Sequence, residues 1–127
     1  MICVVCKVDK PEDDFYLRGD RGKVKRRSEC KPCMGRKARA RRLRDRYGMH
    51  EFDFFVLVKT AQAKCMLCRK PFLTIAEINV DHDHVTGKVR GVLCMPCNTG
   101  IGLLGDSIEG LERAVDYLKS PLKERQF

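Results

Sequence analysis

Apolar residues occur in short runs along this chain, and their spacing changes from one region to the next. Met34 to Tyr47 contains good helix formers and no proline, and Gly48 supplies a stop, so a helix is predicted there. After a boundary at residues 48–51, the pattern predicts a second helix over 52–63. Phe52, Phe55, Val56 and Lys59 share one face of it, with Phe54 and Leu57 off that face. Ile78-Asn79-Val80 alternates like a strand and runs into Asp81-His82-Asp83-His84. Thr86-Gly87-Lys88 is a turn signal, and Val89 to Leu93 reads as the return strand of a hairpin. Thr99 to Leu104 is a short helical candidate despite its glycines. Asp106 as N-cap, with Glu109 three residues on, opens a last helix. Its apolar face is Ile108, Leu111, Ala114, Val115 and Leu118, and Pro121 follows its end.

Such elements supply little core. The chain has 127 residues, ordinary apolar content at 43% and no Trp, so a fold spread along it needs staples. No stretch approaches the roughly 18 apolar residues of a membrane span, and the first residues do not resemble a signal peptide. The expectation is a soluble, intracellular protein without membrane partners. In a reducing compartment, eight cysteines point to metal before disulfides.

All eight fall in C-x-x-C pairs, Cys3/Cys6, Cys30/Cys33, Cys65/Cys68 and Cys94/Cys97, forming two sets of four. One C-x-x-C alone is equally a redox motif or a disulfide. Two pairs close a tetrahedron of thiolates at about 2.3 Å around zinc, with no open position for water. Two structural zinc ions are therefore expected, each contributing folding energy directly.

Charge divides the chain. The formal net charge is +9, and residues 1–49 carry all of that excess while residues 50–127 balance to zero. Arg26 and Arg27 belong to a basic stretch on a loop or hairpin between the first two cysteine pairs. Arg36, Lys37, Arg39, Arg41, Arg42 and Arg44 surround the first predicted helix on all sides. A solvated linker helix is one reading. Neutralisation by a nucleic-acid backbone, with counterion release, is favoured because so much unbalanced charge needs a partner.

The chemistry-bearing residues lie between the third and fourth cysteine pairs and just beyond. Asp81 and Asn98 offer hard oxygen ligands suited to Mg²⁺. A neutral imidazole at His82 suits a general base for water, because histidine as a residue type changes charge near neutral pH. Strict alternation places Asp81 and Asp83 on one face and His82 and His84 on the other. Convergence of Asp81 and His82 therefore requires a twist or bulge. A polar strand end or a further zinc site fits the same four residues, and spacing alone does not decide.

Asp81-His82-Asp83-His84, Gly87-Lys88-Val89-Arg90-Gly91-Val92-Leu93-Cys94 and Cys97-Asn98, with Cys65-x-x-Cys68 upstream, together resemble the phage recombination endonuclease VII family. That family belongs to the His-Me finger, HNH-like or ββα-metal nucleases, and the resemblance spans Cys65 to Leu118. It implies a small α+β, zinc-stabilised fold. Residues 49–127 form its ββα-metal nuclease domain, and residues 1–48 a zinc-binding module with a basic DNA-binding helix. It implies that Asp81 and Asn98 ligate catalytic Mg²⁺ or Mn²⁺, that His82 is the general base, and that His84 positions the phosphate or assists the metal. The implied function is a metal-dependent DNA endonuclease, acting on branched or recombining DNA like a Holliday-junction resolvase, or as a nicking enzyme. Junction-resolving members add a homodimer, and a phage origin places the protein in the cytoplasm of a bacterial host. The alternative from another class is a non-catalytic zinc-finger DNA-binding protein, which has no need of Asp81, His82, His84 and Asn98 together.

Overall fold

A computed structural model describes residues 1–20 and 22–120, with Asp20 by its backbone alone. The chain divides into two units, Met1–Glu51 and a second beginning at Phe52. The expected stop at Pro121 lies outside the described residues.

In the first unit a cysteine knuckle leads to strands β1 (Phe15–Asp20) and β2 (Lys23–Cys30), an antiparallel hairpin, and then to helix α1 (Lys31–Tyr47). The helix starts three residues earlier than its composition indicates. Cys30 caps it in an extended conformation, and Pro32 occupies the first turn, where a missing N–H costs nothing. Gly48 ends it at φ 59°, as expected for a left-handed C-cap. The buried cluster here is Cys3, Phe15, Cys30 and Cys33, with Val5 packed against it, and Leu43 is buried on α1. Full burial of Phe15 stabilises by about 1.5–3 kcal/mol, so the core of this unit is largely its sulfur cluster.

The second unit opens with α2 (Glu51–Thr60) and a second knuckle. Strands β3 (Asn79–His82) and β4 (Val89–Leu93) form its hairpin, followed by α3 (Met95–Leu103) and α4 (Ile108–Lys119). The expected inner face of α2 is wrong in phase: Phe52 is 77% exposed and Phe54 only 2%. Phe54, Leu57, Val58 and Ala61 form the sheltered face instead, still at helical spacing. The helix carries apolar residues on nearly every side, so its pattern does not select one. On α4 the apolar face is present but Ile108, Leu111, Val115 and Leu118 are exposed.

The two units repeat one architecture. Lys7 and Arg69 donate backbone hydrogen bonds to Cys3 and Cys65 at 2.9 Å, both from left-handed conformations at φ 59° and 65°. Val4 N–H bonds Ser28 O and Met66 N–H bonds Val92 O, each at 3.0 Å, so each knuckle clasps the return strand two residues before its third cysteine. Each return strand then runs into a C-x-P-C helix start, Cys30-Lys31-Pro32-Cys33 or Cys94-Met95-Pro96-Cys97. The N-cap angles agree, φ −72° with ψ 155° and φ −73° with ψ 160°. Both units are thus zinc-type knuckles on a ββα frame.

Candidate active site

The sulfur clusters are the clearest sites. Within each set of four the sulfur atoms all lie within 4.8 Å of one another. Cys6 and Cys30 Sγ are 4.0 Å apart, and Cys68 and Cys94 Sγ are 3.8 Å apart. A tetrahedron with arms of about 2.3 Å has edges of about 3.8 Å, so both clusters fit structural zinc. Backbone N–H groups of Cys30 and Cys6 hold the Cys3 thiol down to about 6, against its burial. Burial opposes the same shift at Cys65, but the N–H groups of Cys68, Cys94 and Leu67 bring it to about 6. Hydrogen bonding by Cys30, and burial, push Cys33 up to about 12. Burial, and then Cys94, do the same to Cys97.

At the end of β3 the hairpin register slips. Asp81 pairs with Gly91 but His82 pairs with Val89, leaving Arg90 as the extra residue on β4. The irregularity that strict alternation calls for is present at this point. Arg90 turns back over the strand, its Nε 2.8 Å and Nη2 2.9 Å from the two Asp81 carboxylate oxygens. The same Nη2 donates a short hydrogen bond to Asp106. The other Asp106 oxygen lies 3.0 Å from His84 Nδ1. His84 and His82 meet edge to face, ring centroids 4.8 Å apart. Asp81 and Asp106 are 13% and 15% exposed, whereas His84 faces solvent. The Asp81 and Asp106 hydrogen bonds stabilise the Arg90 charge and raise its pKa, and Arg90 in turn lowers that of Asp106.

The remaining members of the motif divide. Asp83 Oδ1 accepts from the N–H groups of Val85 at 2.8 Å and Thr86 at 2.7 Å, and Gly87 N–H closes the turn on the Asp83 carbonyl. Asp83 is the turn former. Asn98 lies half-buried in the first turn of α3, its N–H on the Cys94 carbonyl and its helix packed against β3. It stands outside the hydrogen-bond network of Asp81, Arg90 and Asp106.

Two members of that network, Arg90 and Asp106, escape a reading of the sequence. Asp106 is expected as an N-cap, but Ser107 takes that place, its Oγ accepting from Gly110 N–H at 3.1 Å. The reason lies in how α3 ends. Gly105 N–H bonds Gly102 O and Asp106 N–H bonds Ile101 O, the paired closure that puts Gly105 at φ 92°. Asp106 follows at φ 50°, unusual for a residue with a side chain, and this aims its carboxylate at Arg90 and His84. The only advance signal was Arg90 within the hairpin motif.

In the basic unit, Arg26 is tied to Glu12 at 3.2 Å, Asp13 at 3.4 Å and the Phe15 carbonyl. Arg39 is held by Glu51 at 2.7 Å and mostly buried. Lys37 pairs with Glu29 at 2.8 Å. Arg27, Arg36, Arg41, Arg42 and Arg44 are exposed on β2 and α1.

Residues 40–120 match the family of recombination endonuclease VII. The chain belongs to that family. The endonuclease VII match includes the hairpin, α3, α4 and the second cysteine set. Among individual relatives, the chain is 40% identical over 76 residues to the Gene 59 protein of Mycobacterium phage D29. It is 36% identical over 76 residues to the Gene 59 protein of Mycobacterium phage L5. Each alignment covers 59% of this chain and 46% of the relative, so the chain spans about half the length of those proteins. Among solved structures it is similar to the ββα-Me type II restriction endonuclease Hpy99I, with 27% identity and a TM-score of 0.43. That match covers 93% of this chain and 64% of the other. Among the described residues no helix is long and apolar enough to cross a membrane.

Proposed function

We propose that this chain is a metal-dependent DNA endonuclease, with residues 49–127 as the nuclease domain and residues 1–48 as a zinc-binding module that holds the DNA backbone. The observation that carries this reading is the convergence of His82, His84, Asp81, Arg90 and Asp106 at one bulged strand end, in a chain of the endonuclease VII family.

In this reading His82 takes the proton from the attacking water. His84 holds Nδ1 against the Asp106 carboxylate, which makes Nε2 the ring nitrogen available to the substrate phosphate. Asp81 and Asn98 would hold the divalent ion through oxygen, and the guanidinium seated on Asp81 supports a cation-binding role for that carboxylate. Mg²⁺ or Mn²⁺, when bound, supplies positive charge to the scissile phosphate and leaving oxygen. Arg90, held by Asp106 as well as Asp81, would be a second positive group at the site. Zinc in the second cysteine set fixes the geometry, because Cys94 ends the hairpin and Cys97 immediately precedes Asn98.

Branched or recombining DNA, as for a junction resolvase, is the substrate class the family points to, with nicking of duplex DNA as the variant within the class. Incubation of the zinc-loaded protein with a four-way junction and a sequence-matched linear duplex, with and without Mg²⁺, tests the reading. Metal-dependent cutting supports it, and preference for the junction makes the protein a resolvase. Failure to cut either substrate overturns it.

A further inference from the structure

The repeated architecture allows the first unit to be compared position by position with the active-site unit. Phe15 pairs with Cys30, and the register that pairs Asn79 with Leu93 puts Ile78 opposite Cys94. Three residues along the first strand from those positions stand Arg18 and Asp81, although a register shift between Phe15 and Leu17 pairs Arg18 with Lys25 where Asp81 pairs with Gly91. Immediately after the last cysteine, on the helix, stand Met34 and Asn98. Three residues before the third cysteine, on the return strand, stand Arg27 and Gly91. Counted from the cysteines, the first unit thus has a cation and a thioether at the offsets of Asp81 and Asn98, the two proposed oxygen ligands, and a further cation at the offset of Gly91.

That part of the first unit is a groove of about 480 Å³ between β2 and α1. Arg18, Arg27, Lys37 and Arg41 are among its lining residues, with Met34 at the helix side. Glu29 is the one acidic lining residue, and it is already paired with Lys37. A pocket of this composition offers Mg²⁺ one carboxylate, already engaged by Lys37, and a concentration of cations suited to oxyanions.

We propose that the groove is a non-catalytic counterpart of the active-site cleft, and that it binds the phosphodiester backbone of DNA through Arg18, Arg27, Lys37 and Arg41. It rests on the reading of DNA as the substrate, and it reassigns the work within the basic module. Arg26 and Arg39 serve the fold, while Arg18, unremarkable in the sequence, contacts phosphate. Phosphate contacts of this kind set orientation and affinity without reading bases.

The test is equilibrium binding of fluorescent duplex DNA to the full-length, zinc-loaded protein without added Mg²⁺, over a range of salt. The pair Arg18→Gln/Arg41→Gln is compared with Lys23→Gln/Arg46→Gln, which removes equal charge from the same unit outside the groove. The groove pair is expected to weaken binding about tenfold or more, and to flatten the slope of log K against log salt by about 2. Arg18→Lys/Arg41→Lys is expected to restore most of the affinity, and zinc content to stay at wild-type stoichiometry in every variant. Equal losses from both glutamine pairs, or no loss from the groove pair, overturn the groove as a site while leaving the nuclease reading intact. No DNA binding by wild type overturns both.

Discussion

Asp106 holds His84 across twenty-two residues of chain, carboxylate to Nδ1 at 3.0 Å, from a backbone conformation that most side chains avoid. The other oxygen of the same carboxylate holds Arg90. One loop residue therefore fixes the ring orientation of a candidate phosphate ligand and the position of a guanidinium at the site. Groups of this kind, one step removed from the chemistry, typically cost 10–100-fold in activity when altered. Asp106→Asn keeps the shape and tolerates the left-handed backbone, but loses the charge. Its single-turnover cleavage rate is expected to fall by about that factor with little change in thermal midpoint. A fall in rate matched by a comparable loss of stability makes Asp106 a folding residue instead.

The placement of Asp106 depends on how closely α4 approaches the end of α3. A Cβ on Gly110 meets the Leu104 carbonyl oxygen at 1.8 Å, a backbone atom that cannot swing aside. Gly110→Ala is expected to destabilise by about 1–3 kcal/mol and to reduce cleavage with it. Gly100, inside α3, has open space around the corresponding position. Gly100→Ala is expected to be stabilising by about 0.5–1 kcal/mol, the ordinary gain from removing a helical glycine. Denaturant midpoints of the two variants check the pair.

What the sequence makes legible here is whatever is written locally. The cysteine spacing, the α1 stop at Gly48, and the hairpin turning at Thr86-Gly87-Lys88 all depend on neighbours within a few residues. The buried face of α2 is not legible, because Phe52, Phe54, Phe55, Val56, Leu57 and Val58 leave no polar side to mark the outside. Ser107 rather than Asp106 caps α4 because the closure at the end of α3 puts Asp106 in a left-handed conformation, and its carboxylate meets Arg90, sixteen residues away on another element. The repeat of the two ββα units is equally hidden. Apart from cysteines and the C-x-P-C starts, it is carried by backbone hydrogen bonds and by left-handed residues at Lys7 and Arg69.

Acid is expected to loosen the hairpin through Asp83. Hydrogen bonds from the backbone N–H of Thr86, and then of Val85, hold the Asp83 carboxyl below its ordinary value of 3.8. A depressed folded-state pKa contributes stability that is fully present above the ordinary value and is lost as pH falls through the depressed one. The stability difference between wild type and Asp83→Ala should therefore be constant above about pH 5 and shrink below the ordinary carboxylate range. Thermal melts of both proteins across that window measure it, and a difference that grows in acid contradicts the assignment.

The central claim is that His82 performs the proton transfer in a metal-dependent cut. Its direct measurement is the single-turnover rate at saturating Mg²⁺ for wild type and His82→Ala, both with wild-type zinc content, on a DNA substrate the wild type cleaves. The account predicts metal-dependent cleavage that falls by about 10²–10⁴-fold in the variant while DNA affinity is unchanged. Cleavage by His82→Ala at the wild-type rate contradicts it.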